Sequence, residues 1–100
     1  MRVVLAAALA AAVTLPGLSA ALACTNEAIA ELARRGVARD MIGEVDVHRE
    51  SNTEGGTQGY IAWVTLRGCQ GYAVVQTDTR CRPIQVYTTR DCRIQGVANY

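Results

Sequence analysis

Motifs that mark metal, redox and nucleotide sites are missing from this sequence. Its four cysteines include no Cys-x-x-Cys pair, which argues against a zinc site and removes the thioredoxin-like redox motif. There is no glycine-rich phosphate loop, because the glycines of 55–56 and 68–71 fall where hairpin turns are predicted. The sequence therefore gives no sign of a cofactor, and we predict none.

Lysine is absent as well, so all ten basic residues are arginines. Without Arg2, which belongs to the leader described below, nine arginines balance nine acidic residues. A neutral domain has no overall attraction for nucleic acid or for an anionic membrane. Residues 24–59 nevertheless carry four arginines against seven acids (net −3), and residues 60–100 carry five against two (net +3). Either these halves attract each other within one monomer, or a polar face serves a partner.

The first 23 residues have the composition of a secretory signal peptide. A short basic start precedes an apolar run over 3–15, a Pro-Gly break and a small-x-small cleavage site ending at Ala23. The apolar run is shorter than the roughly 20 residues of a spanning helix, so no membrane span is expected after cleavage. We predict a signal peptide at 1–23 and one exported domain at 24–100, located in the periplasm or outside the cell.

A lipoprotein anchored at Cys24 is the alternative, because that cysteine would directly follow the cleavage site. The usual lipobox has leucine three residues before the cysteine, whereas Ala21 stands there and Leu22 comes one step late. Acylation would also leave three cysteines, an odd number for an oxidising compartment.

One helix and four strands are predicted from the spacing of apolar residues. Ile29, Leu32, Ala33 and Val37 recur at helical spacing, as one buried stripe, after a capping residue at Thr25 or Asn26. Alternation of apolar and polar residues predicts strands at 44–50, 60–66, 72–77 and 84–89, with a polar, mobile hairpin loop at 51–59. The predicted fold is α+β: one N-terminal helix packed on a four-stranded antiparallel meander, with two disulfides.

The order of the elements selects one of the three possible pairings of four cysteines. If the helix runs antiparallel to the first strand, Cys24 and Cys81 lie at the end of the sheet where that strand finishes, the far end. Cys69 and Cys92 then lie at the opposite, near end. We therefore predict the disulfides Cys24–Cys81 and Cys69–Cys92, which a domain this small needs for stability.

Catalytic chemistry has one candidate, the single histidine. His48 stands two residues from Asp46 and two from Glu50, so a strand places all three on one face. Such a row can bind a metal or tune a base. The same pattern is also that of a solvated face of an edge strand.

Binding has more candidates. Arg80 and Arg82 flank Cys81, so the disulfide would hold both guanidinium groups in place for a carboxylate or an acidic protein surface. Trp63 and Tyr87 form a candidate aromatic anchor, because one helix covers only one face of the sheet. Ordinary surface solubility and core packing are the competing interpretations of these two sets.

Three functions follow from these features. The first is a small, non-enzymatic exported domain that binds a protein or an envelope component. The second is a structural role by self-association into a homo-oligomer, through the edge strand or the uncovered sheet face. The third is a metal-assisted enzyme that uses Asp46, His48 and Glu50.

Overall fold

The computed structural model describes residues 23–100, which form one helix and one five-stranded sheet. The helix α1 spans Thr25–Arg34, and a short 3-10 turn spans Arg39–Met41. The strands are β1 (Ile42–Ser51), β2 (Thr57–Leu66), β3 (Tyr72–Thr77), β4 (Pro83–Thr88) and β5 (Ala98–Asn99). The predicted α+β fold is confirmed, whereas the signal peptide, except for its last residue, lies outside the described residues. None of the helices in 23–100 is long and apolar enough to cross a bilayer.

The prediction of a four-stranded, purely antiparallel meander is wrong in its last element. The sheet order is β1-β2-β3-β4-β5, and β5 pairs with β4 in parallel. This strand has only two residues, and side-chain bonds hold it: Asn99 Nδ2 donates to Thr88 Oγ1 (2.9 Å) and to the Cys92 carbonyl (2.9 Å). No apolar period marks such a strand, so the pattern of the tail did not predict it.

The helix begins without the predicted side-chain cap. Cys24 occupies the N-cap position with a left-handed φ of 64°, and neither Thr25 nor Asn26 caps the helix. The C-terminal end of α1 has a glycine in the left-handed conformation, as helix ends commonly do. Gly36 has φ 95°, and the N–H groups of Gly36 and Val37 close the last turn on the carbonyls of Ala33 and Leu32, both at 3.0 Å.

The main core lies between α1 and one face of the sheet. Ala28 and Leu32 supply the helix side, and both are fully buried. Inward-facing positions of β2, β3 and β4 supply the sheet side, and the tail closes it: Ala62, Val64, Ala73, Val75, Val86 and Ile94. The opposite face of the sheet is free to carry different chemistry.

The hairpin loop between β1 and β2 is shorter than predicted. It comprises residues 52–56, because β2 begins at Thr57 rather than Tyr60. Gly59 belongs to the strand, where a Cβ atom would lie 2.1 Å from the Thr77 carbonyl oxygen on β3. The close contact between β2 and β3 therefore requires glycine at this position.

Both disulfides join the predicted partners. Cys24–Cys81 links the start of α1 to the turn between β3 and β4, at the far end of the sheet. Cys69–Cys92 links the β2–β3 turn to the segment after β4, at the near end. All four cysteines are thus oxidised, which indicates an oxidising compartment.

Candidate functional site: the open face of the sheet

The face of the sheet opposite α1, the open face, carries aromatic, acidic and amide side chains. Its positions follow from the strand register, in which Asp46, Trp63, Val74 and Tyr87 form one row across β1 to β4. The full set comprises Glu44, Asp46, His48 and Glu50 on β1, Ile61, Trp63 and Thr65 on β2, Tyr72, Val74 and Gln76 on β3, and Gln85 and Tyr87 on β4.

A second apolar layer covers the middle of this face. Val74 is only 1% exposed although it points away from α1, because Trp63 and Tyr87 flank it on the neighbouring strands. Trp63 packs edge-on against Tyr72, with ring centroids 5.4 Å apart, and Tyr87 packs in the same way on Tyr100 at 5.3 Å. These contacts fix the orientation of the rings, while Tyr72 remains 41% exposed.

The predicted pair of Trp63 and Tyr87 therefore lies on one face, but the two rings have different partners. β3 separates their strands, so each pairs with another tyrosine. The pairing of Trp63 with Tyr72 was not predicted, because it depends on the register of the β2–β3 hairpin, in which Thr65 rather than Leu66 lies opposite Tyr72. Tyr72 is 41% exposed and Tyr100 is 74% exposed, so both aromatic pairs present ring surface to solvent.

An open pocket of about 370 Å³ lies beside Trp63. Two carboxylates, one imidazole, one hydroxyl and two aromatic rings line it: Glu44, Asp46, His48, Trp63, Thr65 and Tyr72. Carboxylates favour a cationic group through ion pairing, and the faces of aromatic rings do so through cation–π attraction. The pocket is therefore suited to a positively charged side chain or ligand.

Glu44 reaches the pocket because β1 is bulged. Gly43 and Glu44 together oppose the single residue Thr65 on β2, and the Glu44 N–H donates to Thr65 Oγ1 at 2.7 Å. A Cβ atom at position 43 would lie 2.5 Å from the same oxygen, so the bulge depends on glycine there. Gly43 precedes the strand predicted at 44–50, so the sequence pattern did not indicate this bulge.

The row of Asp46, His48 and Glu50 is only partly assembled. His48 Nε2 and Asp46 Oδ2 lie 3.0 Å apart on the surface, with side chains 61% and 72% exposed. The Glu50 carboxylate instead accepts a hydrogen bond from Gln76 Nε2 at 3.1 Å. Within residues 23–100, no three such side chains are grouped closely enough to hold a metal ion.

Arg80 and Arg82 lie together at the far end, in a turn organised by Asp78. The Asp78 carboxylate accepts from both backbone N–H groups, at 2.8 and 2.9 Å, and pairs with the Arg82 side chain at 2.8 Å. Cys81, between them, has a left-handed φ of 65°. Arg82 is thus engaged with Asp78, whereas the Arg80 side chain makes no ion pair with residues 23–100.

These contacts predict an unusually acidic Asp78 carboxyl group. The backbone N–H of Arg82 lowers its pKa most, partial desolvation opposes this, and the Arg80 N–H and Arg82 side chain lower it further, to below 3.8. Because the folded pKa is depressed, the stabilising contribution is complete above the unfolded pKa and disappears as pH falls through the folded value. A carboxyl NMR titration is expected to give a midpoint below 3.8.

The Asp78→Asn variant checks the same contribution by denaturation at two pH values. We expect it to unfold more easily than the natural protein at pH 7, and we expect the difference to shrink as the pH falls through the folded pKa of Asp78, where that side chain also becomes neutral. Asp91→Asn is the matched control, because the Asp91 carboxylate accepts a single backbone bond from Gln70 (2.7 Å). An Asp78 midpoint at or above the ordinary value would contradict this account of the turn.

The two oppositely charged halves of the chain are not joined by direct ion pairs in the described part. Its three ion pairs each stay within one half: Glu31–Arg34, Glu31–Arg35 and Asp78–Arg82. The contact of Asp46 with His48, which is an ion pair only when the histidine is protonated, also lies within one half. Glu31 and Arg35 stand four residues apart, the spacing at which opposite charges pair on a helix. In these pairs, no arginine neutralises an acid of the open face, and His48 is the one basic side chain that contacts such an acid.

A second, basic groove of about 560 Å³ lies at the near end, below the end of α1. Arg35, Arg67 and Arg93 line it together with apolar side chains such as Leu66 and Ile94. Arg35 is already bonded to Glu31 at 2.9 Å. The basic groove and the acidic pocket thus lie on different parts of the molecule.

Comparisons with known proteins give no match, whether to a family model, a curated protein or a solved structure.

Proposed function

We propose that this protein is a small, non-enzymatic binding domain of an exported compartment, which recognises a protein or envelope component through the open face of its sheet. The observation that carries the proposal is the Trp63–Tyr72 pair, which lines an open pocket with Glu44 and Asp46. Aromatic residues of this kind supply most of the binding energy in protein interfaces.

The rigidity of the scaffold supports this proposal. A disulfide closes each end of the sheet, and the layer over Val74 holds the rings in place. A surface whose side chains are already ordered loses less conformational entropy when a partner binds. The open face therefore meets two requirements of a binding surface, exposed aromatic area and prior order.

Export is supported by the disulfides together with the predicted signal peptide. We propose that the mature domain is soluble in the periplasm or outside the cell rather than anchored as a lipoprotein. The Cys24 sulfur is bonded to Cys81, and a sulfur in a disulfide has no valence left for a lipid thioether. Mass spectrometry of the secreted protein would test both the start at Cys24 and the absence of an acyl chain.

The binding proposal is tested by capture from extracts of the cell envelope and culture medium. We expect a specific partner to be retained by the natural protein and by Arg80→Glu, and its retention to fall about tenfold with Tyr72→Ala. Tyr72 is chosen because it is 41% exposed and lies outside the main core, so the variant should fold. If Arg80→Glu abolishes retention and Tyr72→Ala does not, the far end is the binding site. If no variant retains a partner, the binding function is refuted.

A further inference from the structure

We infer that β1 accepts an extended segment of the partner as an additional strand, and that this segment carries arginine or lysine at alternate positions. The inference rests on the proposed binding function and specifies the chemistry of the partner. It depends on the position of β1, on the charges along its open-face side and on the pocket behind it.

β1 offers the backbone geometry that strand addition requires. It is ten residues long and occupies one edge of the sheet, where β2 pairs with it on one side. No other strand within residues 23–100 pairs with its outer side. Peptides often bind such an edge through main-chain hydrogen bonds, while alternate side chains supply the specificity. The opposite edge of the sheet is partly covered by β5.

The charges along β1 specify the side chains of the added strand. Three of its four open-face residues are acids, namely Glu44, Asp46 and Glu50. Side chains directly across a strand pair lie about 5 Å apart, and opposite charges there stabilise the pair. Cationic residues at alternate positions of the partner would therefore lie directly across from one of these acids or beside one of them.

The pocket behind this row adds a second attraction for the same cations. Glu44 and Asp46 stand at the mouth of the pocket, and Trp63 and Tyr72 line it behind them. A long arginine or lysine side chain that crosses β1 would contact both the carboxylates and an aromatic ring. A short or anionic side chain would gain neither contact.

The same charges disfavour a second copy of this chain as the occupant. Antiparallel pairing of β1 with β1 would place the acidic row of one copy against that of the other. Like charges directly across a strand pair are destabilising, and natural sheets use edge charges to prevent such pairing. A partner of opposite charge avoids this repulsion.

The test measures binding of an eight-residue peptide of alternating arginine and threonine to the oxidised protein, by NMR and calorimetry. The matched control peptide has the same residues in two blocks, so that its cations cannot all lie on one side of a strand. We expect the alternating peptide to bind more tightly, with amide shifts concentrated on β1 and around Trp63. Methylation of the alternate backbone nitrogens that face β1 should abolish the binding.

Protein variants locate the site. Glu44→Gln with Asp46→Asn should weaken binding of the alternating peptide about fivefold, as expected for two exposed ion pairs. Glu54→Gln with Glu27→Gln removes the same number of charges outside the acidic row of β1, one in the β1–β2 loop and one on α1, and should leave the affinity unchanged. Equal binding of both peptides, insensitivity to N-methylation, or equal effects of both double variants would overturn the inference.

Two further outcomes separate this inference from the proposed function. If Tyr72-dependent capture of a partner succeeds while the alternating peptide does not bind, the open face is a binding surface but does not accept a basic strand. If sedimentation shows a dimer whose formation depends on the outer side of β1, the occupant is a second copy and the inference is wrong.

Discussion

Cys24→Ala with Cys81→Ala is expected to lower the free energy of unfolding by about 4 kcal/mol, as estimated from the 57-residue separation that this disulfide closes. The bond joins α1 to the β3–β4 turn and limits the freedom of the unfolded chain. A natural domain of this size is stable by only about 5 to 10 kcal/mol, so the variant should lose a large share of its stability. Urea denaturation followed by circular dichroism measures the difference.

The second disulfide provides the comparison. Cys69→Ala with Cys92→Ala opens a loop of only 23 residues, for which the chain-entropy estimate is about 3 kcal/mol. Cys92 is fully buried, however, and its truncation also removes packing. Reduced natural protein, which keeps all four side chains, separates the loss of the covalent bonds from the loss of packing.

Two outcomes would contradict this account of the scaffold. One is a Cys24→Ala and Cys81→Ala variant that unfolds within 1 kcal/mol of the natural protein. The other is reduced protein that keeps the cooperative unfolding and stability of the oxidised form. Either result would also remove the argument that covalent links at both ends keep the open face ordered for binding.

The disulfide pairing could be predicted because it depends only on connectivity. Short turns make successive strands antiparallel, so each turn has a definite end of the sheet. Cys81 in the β3–β4 turn and Cys24 before α1 then fall at the same end. The strands were predictable for a related reason. One face of the sheet is covered by α1, so apolar and polar residues alternate along each strand. Both inferences remain valid when the exact ends of the elements shift by several residues.

Features held by single polar groups were not predictable from such patterns. The strand β5 is held by the Asn99 amide nitrogen, which shares its two N–H groups among three oxygens, including the Arg90 carbonyl at 3.1 Å. The start of α1 is set by the left-handed backbone of Cys24 rather than by a capping side chain. Asp78 likewise organises its turn through bonds to backbone N–H groups. Each of these features depends on a single residue, so none of them repeats along the sequence at helical or strand spacing.

The sequence predicts which kind of residue lies on the open face, but not how those residues are arranged relative to one another. Covering one face with a single helix leaves some of the aromatic residues on the other, and Trp63, Tyr72 and Tyr87 do lie there. What connects them depends on register, which places Val74 beneath the layer and Glu44 beside Trp63 through the bulge. Alternation alone predicts the face of each residue but not its neighbour on the next strand.

Leu32→Ala is expected to destabilise the protein by about 3 kcal/mol, within the range for truncating a fully buried leucine. The helix α1 has only ten residues, too few to be stable alone, so it depends on packing against the sheet. Leu32 is its largest fully buried side chain. The substitution should leave a cavity over the sheet and increase amide hydrogen exchange throughout α1, even with the Cys24–Cys81 bond intact.

Ile29→Ala is the matched control, because Ile29 is only partly buried on the same helix. It loses a side chain of the same size and should cost about 1 kcal/mol or less. Equal losses for the two variants would show that α1 is not held by the contact at Leu32. Because the open face lies on the other side of the sheet, the fraction of Leu32→Ala that remains folded should still bind the alternating peptide. A helix-side variant that abolished binding while still folded would mean that the recognition surface includes α1.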